Sequence, residues 1–558
     1  MSPCVSKIRS QYSDPKLKNP GACIKKGTRH RAINTLVEHG IMEEPTNMDP
    51  SPGTVLHGHE HGAAPPPVPP PPPVAGAPSE SNPFPQTWTG PQPSWATKSD
   101  KIVCVMVGLP ARGKSYISRR LAQYLQFFYG VPTKVFNVGD YRRVEAQGAT
   151  GDSYQDATFF DVRNEEAMRI RRKASELALA DLTRWMLNVS PHRLEPAMDD
   201  LFLSGDFGCV AIFDATNSTQ ERRAWIVEQL RPTGAKIIFI ESICNDEKRI
   251  LENIMNSKVD TKATKDYRGV DVSTAVSDFQ ERIAKYAEVY ETLTEKDLIW
   301  IKLIDGGREM SMNNIRGFLP SRIAQFLINL HVQQRTIYLS RHGQSEYNRL
   351  GKLGGDSDLT KHGHDYAIEL GKWVEENVMV HPDGTPRPAR LWTSSLLRTR
   401  QTAKHIPHPK IDGPNGQEWI NMRLKSFRNL DEIYAGVCDG LTNEEVIEQF
   451  PEEAAQRSKD KFRYRYPRGE SYTDLIARLE PIAHEIERLR EPVVIIAHQA
   501  ILRVLYAYFM GYPREQCIGV SVPLNTVIQL TPTSFGCEEL RIRVLDRPEG
   551  EQLDPASH

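Results

Sequence analysis

Two stretches carry residues whose types and order can move a phosphoryl group. The first is Gly108-Leu109-Pro110-Ala111-Arg112-Gly113-Lys114-Ser115, of the form G-x-x-x-x-G-K-[ST]. It follows the apolar run KIVCVMV (101–107) and precedes a segment with apolar residues at Ile117, Leu121 and Leu125. Strand, glycine loop, helix is the setting in which backbone N–H groups cradle phosphate oxygens and the helix N-terminus adds partial positive charge. In that setting Lys114 reaches the β- and γ-phosphates of a nucleotide, and the Ser115 hydroxyl holds Mg²⁺. A second run, CVAIFD (209–214), ends in Asp214 and is followed by Ala215-Thr216-Asn217. A carboxylate at a strand end beside such a loop can hold Mg²⁺ or take a proton from an attacking hydroxyl. A phosphorylated acceptor needs cations, which Arg142-Arg143, Arg171-Arg172, Arg222-Arg223 and Arg282 offer; spacing alone does not choose among them. No N-K-x-D guanine signature follows the loop, which speaks against a GTPase.

The second stretch is Ser340-Arg341-His342-Gly343-Gln344-Ser345-Glu346-Tyr347-Asn348, after the apolar TIYL. Arg-His-Gly at a strand end sets an imidazole on a turn with a guanidinium beside it. A neutral imidazole can attack phosphorus and become a phosphohistidine while arginine neutralises the oxygens. That chemistry wants a second histidine, supplied by His498 after VVIIA (493–497), and a second arginine, supplied by Arg398. It also needs a proton donor for the leaving alcohol, for which Glu432 is the candidate.

Two α/β units must position these groups. Apolar runs alternate with amphipathic segments from Lys101 onward. In the first unit, strands are expected at 101–107, 134–138, 209–214, 236–243 and 298–304, with helices in the intervals, among them 165–187, 220–230 and 318–330. In the second, strands are expected from 336 and at 390–393, 493–497 and 526–530. Its helices are expected at 364–377, 396–405, 442–450, 472–490 and 500–510. Thr442 and Glu445 form a capping box. The segments 380–390 and 408–428 are rich in Pro, Gly and Asn and read as surface loops.

Composition narrows the function classes. At 558 residues the chain exceeds one core. A net charge of -1 gives no sign of a nucleic-acid or acidic-membrane partner. No apolar run is long enough to span a bilayer; the best candidate, 500–510, contains Arg503. No signal peptide is visible, and the 8 cysteines are scattered without C-x-x-C pairs, as expected of reduced thiols in the cytoplasm. Residues 1–97 lack apolar periodicity and contain PPPVPPPPPV (65–74). They read as a disordered tail, the alternative being a polyproline docking site for an aromatic-grooved module.

The two halves, in this order, resemble the bifunctional 6-phosphofructo-2-kinase/fructose-2,6-bisphosphatase family. The resemblance runs from about Ile102 to Thr533 and is carried by GLPARGKS, VFNVGDYRR, FDATN, FIESICND, RHGQSEYN, GGDSDLT, DKFRYRYPRGESY and AHQAILR. It implies a P-loop kinase domain with a mainly parallel sheet over 98–335. A histidine-phosphatase (phosphoglycerate-mutase-like) α/β domain would follow over 336–545, with a short tail over 546–558. The implied activity is synthesis of fructose 2,6-bisphosphate from fructose 6-phosphate and ATP with Mg²⁺, and its hydrolysis through a phosphohistidine. Such a pair controls glycolysis and gluconeogenesis, and the family implies a homodimer.

The family's residues fall on this chain as follows. Gly108 to Ser115 are the nucleotide loop, Asp214 the catalytic aspartate, Cys244 the reactive-site cysteine, and Asn253 to Lys258 an ATP segment ending in an active-site lysine. Fructose 6-phosphate contacts map onto Arg142, Arg171, Thr216, Arg222, Arg282 and Tyr286. In the second half His342 is the nucleophile and Glu432 the acid/base, while Arg341, Asn348, Arg398 and His498 complete the phosphate pocket. Sugar phosphate contacts map onto Gly354, Arg457, Lys461, Tyr472, Gln499 and Arg503. Three departures stand out: Asn443 where the family has a ligand-contacting tyrosine, Tyr434 in place of an aspartate two residues after Glu432, and insertions near 190–204, 263 and 409–428.

Overall fold

The computed structural model describes residues 100–150, 156–189, 208–255, 267, 270–331, 335–533 and 536–546. The Pro-rich tail, Lys258 and the insertions near 190–204 and 263 lie outside them.

The first unit runs β1 (Lys101–Val107), α1 (Lys114–Tyr129), β2 (Thr133–Asn137), α2 (Val138–Thr150), α3 (Glu165–Asn188), β3 (Cys209–Asp214), α4 (Gln220–Leu230), β4 (Lys236–Ile243), α5 (Glu247–Ile254), α6 (Val272–Ala287), β5 (Ile299–Ile304), β6 (Glu309–Asn313) and α7 (Phe318–Asn329). Its sheet has the order β2-β3-β1-β4-β5-β6, parallel except for β6, which runs against β5. Helices cover both faces, so β1 and β3 are buried almost throughout and read as unbroken apolar runs. The glycine loop leaves β1 between β3 and β4. This is the point where the chain connects outward in both directions and where open α/β sheets bind their ligands.

The second unit runs β7 (Ile337–Arg341), α8 (Glu346–Leu350), α9 (Lys361–Asn377), β8 (Arg390–Thr393), α10 (Leu397–Ala403), β9 (Lys410–Asp412), β10 (Glu418–Ile420), β11 (Leu424–Ser426), α11 (Asn443–Gln449), α12 (Pro451–Lys459), α13 (Tyr472–Arg488), β12 (Val493–Ala497), α14 (Gln499–Met510), β13 (Thr526–Thr533) and β14 (Gly536–Arg543). The sheet order β11-β8-β12-β7-β13-β14 is parallel from β11 to β7, then antiparallel. The parallel register sets Ala497 opposite Arg341 and Ile496 opposite both Ser340 and Thr393. Residues 342, 394 and 498 thus leave adjacent strands at one edge.

The segment 408–428 is not all loop. It holds the β9–β10 hairpin and the parallel edge strand β11, each three residues long. Strands this short and this exposed show no period-2 alternation. The unexpected β6 and β14 are likewise polar, because each is an outer strand with much of its length in solvent. Val138 starts α2 rather than ending β2.

One apolar cluster runs from the first sheet through α1 and α7 into α13, α14 and the second sheet. The Tyr124 ring of α1 stacks on Phe326 of α7 at 4.3 Å, and its hydroxyl donates to Glu480 of α13 at 2.7 Å. Deeper in this contact the carboxylate of Glu487, fully buried, takes hydrogen bonds from Arg120 and Arg335 and from Tyr508 at 2.9 Å. Removing the shared carboxylate leaves two buried guanidinium groups facing each other. Glu487→Ala is therefore expected to lower unfolding stability by about 3 kcal/mol or more, the usual cost of breaking a buried ion pair. Denaturant unfolding of the two proteins checks this, and a loss below about 1 kcal/mol would contradict it.

Candidate active sites

In the first unit, backbone geometry shapes the anion cradle. Gly108 has φ 132°, and a Cβ there would lie 2.5 Å from the Ser242 carbonyl oxygen of β4, so only glycine lets the loop pass. The Gly108 N–H donates to the Thr216 carbonyl at 3.0 Å, and Asn217 donates to the Met106 carbonyl at 2.8 Å, tying the loop to the end of β3. Ala111 and Gly113 also have positive φ, 58° and 80°. Lys114, at the first position of α1, lies 8% exposed and donates to the Leu109 carbonyl across the loop at 2.7 Å. Asn137 at the end of β2 donates to Asp214 Oδ2 at 2.6 Å and lies 3.5 Å from Ser115 Oγ. One amide thus holds the loop hydroxyl and the strand-end carboxylate side by side.

Residues 110–115 line a cavity of about 880 Å³ with Asp214, Thr216, Asn253, Arg142, Arg171, Arg222, Arg282 and Tyr286. The cationic end is built on Phe160. The Arg282 guanidinium lies 3.6 Å from the ring centroid and that of Arg142 lies 4.9 Å away, while Arg171 donates to the carbonyls of Phe160 and Asp161. Burial alone would raise the Tyr286 phenol, but Arg282, Arg171 and Arg142 outweigh it and hold the group below its usual value. Burial takes Arg222 down to about 10, which leaves it cationic at neutral pH. A neutral ring floor under several guanidiniums suits a phosphorylated ligand.

Cys244 stands outside this lining. Burial pushes its thiol up against the pull of the Asp246 backbone contact and of Arg249 and Arg112. A protonated thiol is a weaker nucleophile than a thiolate, so the catalytic role expected of Cys244 draws no support from this geometry. Lys258 lies outside the described residues.

In the second unit the strand register brings the expected groups together. The His342 N–H donates to the Ala497 carbonyl at 3.1 Å, and the two imidazole centroids of His342 and His498 lie 5.1 Å apart. A Cβ on Gly343 would stand 2.4 Å from the Gly363 carbonyl oxygen, so the turn after His342 closes only with glycine. His342 Nδ1 faces the Gly343 carbonyl at 2.7 Å, which places the ring proton on Nδ1. Its Nε2 then carries the lone pair and accepts from Arg398 Nε at 3.1 Å. His342, Arg341 and Arg398 are each 3% exposed and His498 is fully buried. Burial, Arg398 and Arg341 together hold His342 well below its ordinary value, so the ring stays neutral. His498 Nε2 meets the Ser394 hydroxyl at 2.8 Å, while its Nδ1 is buried without a partner among the described residues, an orphan that a phosphate oxygen can satisfy. Asn348 spends its Oδ1 on Ser345 in the capping box of α8.

The sugar-side residues form a second cationic cluster. Arg503, 4% exposed, reaches Tyr472 Oη at 3.5 Å and the Val520 carbonyl at 2.8 Å. Burial and the charges of Arg503 and Arg457 bring Lys461 down to about 8. Gln499 opens α14 directly after His498. Burial raises the Glu432 carboxyl above its usual value, against the opposing Ile433 N–H, Arg398 and Arg341. Glu432, Gly354 and the half-exposed Tyr434 line an adjoining cavity of about 620 Å³. Asn443 is exposed at the start of α11 and lines neither cavity.

Sequence reasoning left out Asn137, Ser394 and Arg478. Asn137 sits inside VFNVGDYRR at the end of a strand, and Ser394 directly follows the strand expected at 390–393, which was the available signal; nothing local marks Arg478.

Comparison with known proteins agrees with both halves. The family model described as 6-phosphofructo-2-kinase matches residues 92–192 and 193–334, and that of the histidine phosphatase superfamily (branch 1) matches 337–544. A Rattus norvegicus protein named 6-phosphofructo-2-kinase/fructose-2,6-bisphosphatase 3 is 43% identical over 439 residues, 78% of this chain and 70% of that protein. A Caenorhabditis elegans protein named 6-phosphofructo-2-kinase/fructose-2,6-bisphosphatase is 39% identical over 453 residues, 80% of this chain and 90% of its own length. Among the described residues no helix is long and apolar enough to cross a membrane.

Proposed function

The chain belongs to the bifunctional 6-phosphofructo-2-kinase/fructose-2,6-bisphosphatase family, and from that premise we propose how its own residues divide the two reactions. It makes fructose 2,6-bisphosphate from fructose 6-phosphate and ATP, and hydrolyses it back to fructose 6-phosphate and phosphate. The observation that carries the residue roles is the convergence of His342, His498, Arg341 and Arg398 at one sheet edge, on the same chain as a glycine loop facing an arginine-lined cavity.

In the kinase site the loop amides and Lys114 hold the ATP phosphates. Arg142, Arg171, Arg222 and Arg282 hold the 6-phosphate, with Thr216 and Tyr286 on the sugar. The 2-hydroxyl attacks the γ-phosphorus, the bond to ADP breaks, and Asp214 takes the hydroxyl proton. Ser115 Oγ and the Asp214 carboxylate, gathered on Asn137, are two hard oxygen donors. They fit Mg²⁺, which takes one or two protein oxygens beside substrate phosphates and would neutralise phosphate charge there.

In the phosphatase site, His342 Nε2 attacks the 2-phosphorus, the bond to the 2-oxygen breaks, and Glu432 gives that oxygen its proton. Arg341, Arg398, His498 and Asn348 hold the phosphoryl oxygens, while Arg457, Lys461, Arg503, Tyr472, Gln499 and the Gly354 turn hold the rest of the sugar phosphate. Water then attacks the phosphohistidine, Glu432 takes its proton, and the P–N bond breaks to release phosphate and neutral His342. The reading includes a homodimer, carried from the family, in the cytoplasm, for which the free thiols among the described residues are the support. Docking of the 65–74 tract in an aromatic-grooved module is the alternative to a plain tail, resting on its Pro-rich composition.

The test measures both activities on one preparation, with phosphoenzyme formation followed against pH. Glu432 must be protonated and His342 neutral. The rate is therefore expected to fall as pH rises through the raised value of Glu432, and to fall in acid only well below the ordinary histidine value. Glu432→Gln should slow the plateau by about 10²-fold or more and abolish the alkaline limb. An alkaline limb unchanged in this variant would assign it to another group.

A further inference from the structure

We propose that Arg478 is the positioning residue for the Glu432 carboxyl, an inference that rests on reading Glu432 as the proton donor. The Glu432 carboxyl accepts two backbone N–H groups, that of the next residue, Ile433, to Oε1 at 2.9 Å and that of Ala500 in the first turn of α14. The backbone that carries Glu432 is anchored from α13. Arg478 Nη1 donates to three carbonyl oxygens of the approach to Glu432: Arg428 at 3.1 Å, Asn429 at 3.0 Å and Asp431 at 3.0 Å. Asn429 returns a bond from its amide to the Arg478 carbonyl at 2.8 Å.

The far side of Glu432 is held through the same guanidinium. Arg478 Nη2 donates to Glu470 Oε2 at 3.0 Å, and that oxygen also accepts the Tyr434 N–H at 3.0 Å. The Glu470 N–H closes the ring on the Tyr434 carbonyl at 2.9 Å. Tyr434 enters through its backbone alone, so a tyrosine serves where the family has an aspartate. One arginine thus fixes residues 428–431 and 434, and the acid lies between them. The Asp431 carboxylate, held by the Ser395 N–H at 2.7 Å, ties the same loop to the turn that carries Arg398.

Arg478 and Glu432 line the same cavity, so a direct role on a substrate anion is the competing account. The guanidinium is already committed to three carbonyls and a carboxylate, which favours positioning. Misplacing a catalytic group by about 1 Å costs on the order of 10²-fold in rate, and such a loss falls on the chemical step rather than on binding.

Two phosphoryl donors separate the possibilities. Fructose 2,6-bisphosphate has a poor alcohol leaving group that needs a proton, whereas p-nitrophenyl phosphate departs as a stable phenolate without one. Rates of His342 phosphorylation by each are compared in the full-length wild type, Arg478→Ala, Arg478→Lys, Glu432→Gln and Glu432→Gln/Arg478→Ala. The sugar substrate should react about 10²-fold more slowly in Arg478→Ala at a KM within about two-fold, with p-nitrophenyl phosphate nearly unaffected. Arg478→Lys, which can reach fewer carbonyls, should fall between, and Arg478→Ala should add little once Glu432 is glutamine.

Equal slowing with both donors, a raised KM without loss of kcat, or a fully additive loss in the double variant would overturn the proposal. If Glu432→Gln itself slows both donors equally, the reading of Glu432 as acid fails. If Glu432→Gln is selective and Arg478→Ala is not, only the positioning role fails. Kinase rate and unfolding midpoint report on folding. Should Arg478→Ala not fold, Arg478→Lys and Glu470→Gln, which loosens the other end of the clamp, decide by the same comparison.

Discussion

His342→Ala abolishes both the covalent intermediate and the hydrolysis of fructose 2,6-bisphosphate, while fructose 6-phosphate is still phosphorylated. Substrate labelled at the 2-phosphate should leave acid-labile, base-stable label on the wild type, as a phosphorus–nitrogen bond requires, and none on the variant. Turnover should fall by about 10³-fold or more, because no other group takes over the covalent route. Two features make the loss this large. The ring proton sits on Nδ1 against the Gly343 carbonyl, so the attacking lone pair on Nε2 is fixed before substrate arrives. Burial with Arg398 and Arg341 keeps the ring neutral, and those cations then stabilise the charge gathering on phosphorus. His498 cannot substitute, since with Nε2 accepting from the Ser394 hydroxyl its proton sits on Nδ1, the nitrogen set to donate to a phosphate oxygen. Kinase activity in the same preparation checks that the chain has folded. Full labelling of the variant, or label on Cys244 or His498, would overturn the mechanism.

How far the sequence could foretell this depended on whether a residue's task was local. The central strands β1, β3, β4, β8 and β12 carry the bounds expected of them, because a strand buried on both faces writes an unbroken apolar run. Edge strands β6, β11 and β14 answer to solvent and left no such mark. His342 and the glycine loop were visible because each motif is contiguous and sits where a strand ends. Cys244 is a different case: its role came only with the family resemblance of ESICND, and burial raises its thiol.

Groups that act across long sequence distance were the least legible. Arg478 lies 46 residues after Glu432 in chain order (478 − 432) and looks like any charge on an amphipathic helix. Only the fold shows that its guanidinium meets three carbonyls of one turn. Arg120 is a similar case. On the sequence it is one of two adjacent arginines in the helix after the glycine loop, a position that reads as solvated. It is 6% exposed and paired with Glu487 because the second domain covers that face of α1. Spacing of 3.6 residues reports that a face is apolar, not which partner will bury a charge at its margin.

Lys114→Met removes kinase activity and leaves the phosphatase working, a result that separates the two sites although they share a core. The methionine keeps most of the apolar stem of a side chain that is 8% exposed, so the start of α1 stays packed. What disappears is the ammonium, now 2.7 Å from the Leu109 carbonyl and set where nucleotide phosphates meet the loop. Loss of one preorganised donor to a developing phosphoryl charge costs about 10²–10³-fold in kcat. Arg222 and Arg282 cannot compensate, because they lie at the cationic end of the cavity around Phe160 and Trp225 rather than on the loop. The phosphatase should be unaffected for a geometric reason. The contacts of α1 with α13 and α14 begin at Arg120, about two turns beyond Lys114, and involve Tyr124, Phe127 and Phe128. ATP-dependent phosphorylation of fructose 6-phosphate, phosphoenzyme formation and unfolding midpoint measured on one preparation decide the matter. An unchanged kinase rate would sink the assignment of the loop. A phosphatase that failed alongside the kinase at an unaltered midpoint would mean that the state of the nucleotide loop reaches the second site through α1.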